Sequence, residues 1–240
     1  SLPKAKEPLQ YPEYGIFHPK HGYFQEMESF CRASGFDEAL PTVGVLFYGN
    51  THFDQCQSVL KGLLENLLDC NIIPVFSDGI RNLRAMKKFF FRDGRPILDA
   101  LVNLTWCRLD GGPLGGNPEK TRELLSELNV PVFAPACMYS RKIEEWKASE
   151  TGLSPMESIM AVIWPELDGC IEPIPCCGVQ DLSVGELQAS EVAALPDRVE
   201  RIALRIRRWM ELKKKSNAHK RIAIIIYNYP PGEANLGVAS

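Results

Sequence analysis

The strongest constraint on the fold is a repeated alternation between short apolar runs and amphipathic stretches of helical length. Residues 43–48 read VGVLFY between Pro41 and Gly49, which predicts a strand buried on both faces. In residues 54–68 the apolar positions recur at helical spacing, with Asp54 as the predicted N-cap. The same pattern predicts strands at 72–76, 101–105 and 131–134, an edge strand at 170–174, and helices at 80–91, 118–128, 140–148 and 155–162.

Strands that alternate with helices of this length require right-handed crossovers and place the strands side by side in parallel. The sequence therefore predicts a doubly wound α/β fold, Rossmann-like or flavodoxin-like, with a mostly parallel sheet and helices on both faces. This core domain is assigned to residues 41–180.

Two further regions flank the predicted core. Residues 1–40 are rich in proline and are expected to form an irregular lead-in packed on the core, with one short helix at 24–33. Residues 181–240 are expected to hold a linker that begins near 178 and ends near 196, an amphipathic helix at 197–215 and a returning buried strand at 221–227.

Composition excludes several classes of function. A formal net charge of -3 and a pI near 5.9 supply no basic field for a phosphate backbone, so nucleic acid is not expected as a partner. A membrane span needs about 20 consecutive apolar residues, and neither such a stretch nor a signal peptide is found, which predicts a cytoplasmic protein. The first residue is Ser1 and the last lies inside a motif-like run, so we expect a piece of a longer protein.

The cysteines carry a weaker signal. All eight lie outside C-x-x-C pairs, and most occur in apolar runs, which is typical of reduced thiols in a core. The adjacent pair Cys176 and Cys177 could bind a soft metal, but neighbouring side chains of a regular strand point to opposite faces. The sequence therefore favours a structural role for this pair.

In open parallel sheets, ligands bind beyond the carboxyl ends of the strands. The predicted elements place five loops there, at 49–52, 77–79, 105–106, 135–137 and 228–229. His52 is the leading candidate because a neutral imidazole could accept a proton or ligate a metal, although it could also cap or pack at the start of the next helix. His18 and His21 are separated by Pro19, which favours a structural role, and the glycine-rich loop at 111–117 lacks the lysine of a phosphate cradle.

Several segments, in the same order as in the family, resemble the large subunit of cobaltochelatases and the porphyrin-binding H subunit of magnesium chelatases. They span nearly the whole chain and read YPEYGIFHP at 11–19, VGVLFY at 43–48 followed by His52, VNLT at 102–105, PELDG at 165–169 with IEP at 171–173, and IYNYPPGEANLG at 226–237. One departure is Gly49-Asn50, where the family often has a basic residue.

The resemblance implies a fragment of a much longer subunit that binds a tetrapyrrole and a divalent metal ion, cobalt or magnesium, as substrates. It also implies separate AAA+ subunits that hydrolyse ATP, so that ATP is not bound here. Together with loop position, it nominates His52 and His18 as catalytic residues, and Tyr48, Asn50, Asn103 and Asn228 as substrate-binding residues. Cobalt is favoured over magnesium because the run at 227–230 is closer to that branch. A stand-alone binding module and a docking domain without catalysis remain as alternatives.

Overall fold

A computed structural model describes residues 12–49, 53–112, 115–184 and 187–225, with the side chains of 184 and 187 left aside. The strands are β1 Tyr14–His18, β2 Gly22–Phe24, β3 Thr42–Tyr48, β4 Asn71–Ser77, β5 Phe91–Arg92, β6 Arg95–Pro96, β7 Ala100–Asn103, β8 Val132–Phe133, β9 Ala136–Lys142, β10 Pro175–Val184 and β11 Leu187–Ala194. The α-helices are α1 Met27–Ser34, α2 Phe53–Asn66, α3 Asn82–Phe89, α4 Pro118–Leu128, α5 Ile143–Ala148, α6 Pro155–Ser158, α7 Trp164–Leu167 and α8 Pro196–Lys214. A π-helix at Ile159–Ile163 joins α6 to α7, and a 3-10 turn at Asn217–His219 follows α8.

The main sheet has six strands among the described residues, in the order β2-β1-β4-β3-β7-β8. The strands β4, β3, β7 and β8 run parallel, and the hairpin of β1 and β2 adds two antiparallel strands at one edge. A second sheet, in the order β11-β10-β9, continues the chain beyond β8. The prediction of a mostly parallel α/β sheet is confirmed.

Helices cover both faces of the main sheet. On one face Val45 and Phe47 of β3 belong to a core cluster that includes Leu63 of α2 and Ile202 of α8. On the other face Leu46 of β3 belongs to a second cluster, which is built with side chains of α1, α3 and α4. A strand whose successive residues enter two different cores must be apolar throughout, which is why β3 reads as an uninterrupted apolar run.

The long helix α8 buries the apolar side of its amphipathic sequence in the core. Val199, Ile202, Ile206 and Met210 recur at helical spacing and are at most 5% exposed. Burying one such side chain contributes about 1.5–3 kcal/mol. The stripe packs on α2 at Gly62, where an added Cβ would lie 3.0 Å from Cγ1 of Val199. The predicted helix at 197–215 is therefore found almost residue for residue.

Three predicted segments differ in the structure. In the lead-in, residues 12–40 are not irregular, because β1 pairs with β4 and carries β2 beside it. The predicted linker near 178–196 is a hairpin of β10 and β11 with an unbroken antiparallel register. Of the predicted strand at 221–227, residues 221–225 are not in a strand, and Ile222, Ile224 and Ile225 are 83–95% exposed, while 226–227 lie outside the described residues. A strand needs a neighbour for its backbone groups, and no described strand pairs with 221–225.

Smaller differences concern element boundaries. Asp54 lies in the first turn of α2 rather than at the N-cap. The predicted edge strand at 170–174 is reduced to a bridge between Ile171 and Phe133, although the Ile171 N–H donates to the Val132 carbonyl at 2.8 Å. The predicted helix at 140–148 begins at Ile143, because β9 runs on to Lys142.

Candidate functional site

The carboxyl ends of three neighbouring strands meet at one edge of the main sheet. Tyr48 ends β3 and pairs in register with Ser77, which ends β4, and Leu46 pairs with Asn103, which ends β7. Two of the predicted site residues, Tyr48 and Asn103, are thus brought to the same edge. Both are nearly buried, at 6% and 1% exposure.

Asn103 holds the loop that follows β7. Its Oδ1 accepts hydrogen bonds from the Thr105 backbone N–H at 3.0 Å and from the Thr105 hydroxyl at 2.6 Å. The Thr105 Oγ1 in turn accepts a bond of 3.3 Å from the amide of Asn82, in the first turn of α3. This closed turn fixes the backbone of the loop after β7, and Asn103 is the side chain that holds it.

Trp106 directly follows the turn formed by Asn103 and Thr105. Its carbonyl accepts a hydrogen bond of 3.3 Å from the Tyr48 hydroxyl, and its ring lies 5.3 Å from the Tyr139 ring, edge to face. Trp106 and Cys107 have φ of 23° and 81°, a left-handed conformation that non-glycine residues rarely adopt. Such strain persists where the surroundings impose it and is concentrated at functional sites.

Three buried polar atoms at this edge have no hydrogen-bond partner among the described residues. They are Oγ of Ser77, Oδ1 of Asn82 and Nδ2 of Asn103, on side chains that are at most 1% exposed. An unpaired buried polar atom costs about 1–3 kcal/mol, and folded proteins rarely leave one without a partner. The edge therefore has unused capacity to bind a water molecule or a polar group of a ligand.

Burial controls the ionisation of the aromatic hydroxyls and thiols at this edge. It raises the pKa of Tyr48 far above the usual range, so the phenol stays neutral and can donate a hydrogen bond but cannot serve as a base. Burial also raises the pKa of the Cys56 thiol to about 12, and this sulfur lies 3.3 Å from the Tyr139 hydroxyl. The Tyr48 hydroxyl and the Cys56 thiol are thus neutral at pH 7.

His18 lies elsewhere. It ends β1, which is antiparallel to β4, and Tyr14 at the other end of β1 pairs with Ser77. His18 is therefore about 13 Å along the strand direction from the Tyr48 level, at four residues of about 3.3 Å each. Its Nδ1 accepts from the Lys20 N–H at 3.1 Å, and its ring is 4.6 Å from the ring of His21. Burial first, and then the nearby His21 and Lys20, lower the pKa of His18.

The other predicted site residues, His52, Asn50 and Asn228, lie outside the described residues. The sequence prediction did name the loop at 105–106, but it did not single out Trp106, and it did not name Tyr139. A large aromatic residue directly after a buried strand was the available signal for Trp106. Tyr139 had no such signal, because its place beside Trp106 depends on the path of β9.

Three thiols converge just below this edge. The sulfur of Cys137 lies 3.6 Å from that of Cys176, and the sulfurs of Cys137, Cys176 and Cys177 all lie within 4.8 Å of one another. The expectation that the adjacent pair would point apart is wrong, because β10 carries a register shift between Pro175 and Cys177. All three side chains are at most 1% exposed.

A cleft of about 590 Å³ lies at the opposite end of the sheet. Its lining includes Pro131 at the start of β8, Arg122 of α4, and Trp209 and Lys213 of α8. The amino end of β8 is the edge away from Tyr48 and Trp106, so this cleft is a separate surface. It combines an aromatic ring with cationic side chains.

Comparison with known proteins places this α/β domain in a family. All residues from 1 to 240 match the family described as CobN/Magnesium Chelatase, and the chain belongs to it. The chain is 35% identical to the uncharacterized protein MJ0908 of Methanocaldococcus jannaschii, over 94% of this chain and 19% of that protein. It is 28% identical to the H subunit of the magnesium chelatase of Chlorobaculum parvum, over 95% of this chain and 18% of that protein.

The fold also matches a solved structure, the catalytic subunit of cobaltochelatase from Mycobacterium tuberculosis. The TM-score is 0.64 at 21% identity, over 93% of this chain and 18% of that one. The chain thus spans about a fifth of the length of the relatives it matches. In the part of the chain that the structure describes, no helix is both long and apolar enough to cross a membrane.

Proposed function

We propose that this chain is part of the tetrapyrrole-binding large subunit of a metal chelatase, which inserts a divalent ion into a corrin or porphyrin precursor. The observation that carries the proposal is the match of all 240 residues to the CobN/Magnesium Chelatase family. Cobalt is the favoured ion and magnesium the next, and separate AAA+ subunits hydrolyse the ATP. The cytoplasm is the proposed compartment, since all eight cysteines are free thiols, as is usual in reducing compartments.

The carboxyl edge is the proposed contact with the tetrapyrrole. A macrocycle presents a broad aromatic face, and Trp106 offers an indole that Tyr139 supports edge to face. The neutral Tyr48 phenol lies at the same edge and is proposed as a polar contact. Asn50, which comes directly after Gly49 in the sequence, and Asn228 are proposed as further substrate-binding residues. Asn103 is proposed as the residue that positions the loop carrying Trp106.

Metal insertion requires that the pyrrole N–H groups lose their protons and that the incoming ion loses water. We propose His52 as the first candidate to accept a proton, because it comes four residues after Tyr48, the last residue of β3, in the sequence. His18 is the second candidate, and the lowered pKa of its imidazole supports a neutral, proton-accepting form near pH 7. Its distance along the sheet from Tyr48 requires that the macrocycle or another segment reach the β1–β2 hairpin.

A docking role without chemistry is the second candidate function, and one observation favours it. Tyr48, Asn103 and Tyr139 are each at most 8% exposed, and their described hydrogen bonds are made within the chain. Buried side chains that make hydrogen bonds within the chain stabilise the loop after β7. In that case the domain would support distant active-site elements.

The test is the rate of metal insertion by the full-length subunit with its partner subunits and ATP. His52→Ala is compared with His219→Ala, which changes an exposed histidine after α8. We expect His52→Ala to lower the rate by about 10²–10⁴-fold, the usual contribution of a positioned acid or base, and His219→Ala to leave it unchanged. Equal rates for wild type and His52→Ala would reject the assignment of His52. The docking role would be supported if the domain is required for the subunits to assemble but substitutions at His52, Tyr48 and Trp106 leave the rate of metal insertion unchanged.

A further inference from the structure

The strongest group outside the proposed contact with the tetrapyrrole is the cluster of Cys137, Cys176 and Cys177. Among the described residues these three offer their sulfurs within 4.8 Å of one another, in a core where none is more than 1% exposed. Cysteines that merely fill a core need no such convergence. The arrangement therefore calls for a chemical explanation.

A β-bulge creates the convergence. Pro175 pairs with Ala136 and Cys177 pairs with Cys137, so β10 advances two residues while β9 advances one. The extra residue is Cys176, and a bulge interrupts the strict alternation of side chains between the two faces. As a result, two adjacent cysteines of β10 reach the same cysteine of β9. Bulges are common beside functional sites, where they redirect a side chain.

The sulfur spacing fits one metal ion. At a metal–sulfur distance of about 2.3 Å, two thiolates on a tetrahedral or trigonal ion lie about 3.8–4.0 Å apart. The Cys137 and Cys176 sulfurs are 3.6 Å apart, and a disulfide would need about 2.05 Å. Cys56 belongs to the same core cluster but not to this group of three, and its sulfur lies 3.3 Å from the Tyr139 hydroxyl.

We propose that Cys137, Cys176 and Cys177 bind one zinc ion, which ties β9 to β10 beneath the carboxyl edge of the main sheet. Thiolates select soft or borderline ions such as Zn²⁺ and Cu⁺, whereas oxygen ligands suit Mg²⁺. Each cysteine that binds releases its proton to solvent. A divalent ion with three thiolates leaves a single negative charge in the core, whereas Cu⁺ with three thiolates leaves two. The smaller charge is favoured because the free energy needed to bury a charge rises with its size. In this proposal the zinc ion is structural and is not the ion that the chelatase inserts.

Because the thiols are buried, the ion is expected to enter while the chain folds. The test therefore uses the chain unfolded in guanidinium chloride with reductant and refolded with or without Cd²⁺, which reports thiolate binding through a sulfur-to-cadmium absorption band. After desalting, we expect one Cd²⁺ per wild-type chain and a higher Tm. Excess Zn²⁺ present during refolding should suppress the band, and excess Mg²⁺ should not.

Matched variants locate the ion. Cys137→Ala and Cys177→Ala should lose the cadmium band, whereas Cys31→Ala and Cys70→Ala, which change half-buried cysteines outside the cluster, should keep it. The wild-type result does not depend on whether the cluster variants fold: a reduced, refolded wild-type chain that retains no Cd²⁺ overturns the site. A band lost with Cys70→Ala overturns its location, and displacement by Cu⁺ but not by Zn²⁺ overturns the zinc assignment.

Discussion

The Tyr139 hydroxyl donates a hydrogen bond of 2.8 Å to the Leu104 carbonyl, and this bond joins β9 to the loop that carries Trp106. The same hydroxyl lies 3.3 Å from the Cys56 sulfur. One phenol thus connects the second sheet, the loop after β7 and the first turns of α2. The proposed contact with the tetrapyrrole and the thiol cluster share this connection.

Replacing Tyr139 with Phe tests the connection. The change keeps the ring beside Trp106 but leaves the buried Leu104 carbonyl without its donor, which should cost about 1–3 kcal/mol. Urea unfolding monitored by circular dichroism measures the free energy of unfolding. Tyr23→Phe is the control, because Tyr23 is 42% exposed and should change stability by less than about 0.5 kcal/mol. Equal stabilities of the two variants would show that the bond contributes nothing.

The ion pair of Arg108 and Asp168 should be a major contributor to stability. The Asp168 side chain is 1% exposed and accepts from Nε of Arg108 at 2.7 Å, from its terminal nitrogen at 2.6 Å, and from the Leu109 N–H at 2.8 Å. Asp168→Asn leaves the guanidinium without its charged partner, which should cost about 3–5 kcal/mol.

The control for that prediction is Asp181→Asn. The pair of Asp181 and Lys142 is exposed on both sides, at 64% and 49%, so solvent screens it and its loss should change the free energy of unfolding little. Both variants are measured by urea unfolding at the same pH. If Asp168→Asn lowers the free energy of unfolding no more than Asp181→Asn does, the pair of Arg108 and Asp168 contributes no more stability than a surface ion pair.

Glu172 should make stability depend on acid pH. The hydrogen bond from Arg205, at 2.8 Å from Nε, lowers the pKa of the Glu172 carboxyl, with smaller contributions from Trp209 and Arg201. A carboxyl whose pKa is lower in the folded state stabilises the fold above its unfolded pKa of about 4.3, and that contribution is lost as the pH falls through the folded value. The stability gap between wild type and Glu172→Gln should therefore shrink from about pH 6 to about pH 3. A gap that stays constant would contradict this account.

Local sequence patterns are sufficient to predict a strand whose successive side chains enter two cores, and a helix whose own sequence caps its first turn. The predicted bounds of the helix at Pro118–Leu128 are the observed ones, since Pro118 starts it and the side chain of Asn117 accepts from two backbone N–H groups of its first turn. β3 was found within one residue for a similar reason.

Other features depend on partners that are distant in sequence. The hairpin of β10 and β11 was missed because many of its residues around Asp181 and Gln188 are exposed, so no apolar alternation marks it. His18 is far from Tyr48 because β1 runs antiparallel to β4, and local periodicity does not give strand direction. The bulge that joins Cys176 and Cys177 to Cys137 is likewise a property of strand pairing.

The most direct test of the central claim is a porphyrin titration of the full-length subunit, followed by absorbance. Trp106→Ala removes the indole at the carboxyl edge, and Trp209→Ala removes the one that lines the cleft at the other end of the sheet. We expect Trp106→Ala to weaken binding about tenfold or more, since aromatic pairs and their buried area contribute roughly 1.5 kcal/mol or more, and Trp209→Ala to leave the affinity unchanged. Unchanged binding in Trp106→Ala, with a loss in Trp209→Ala, would contradict the placement of the tetrapyrrole at the carboxyl edge.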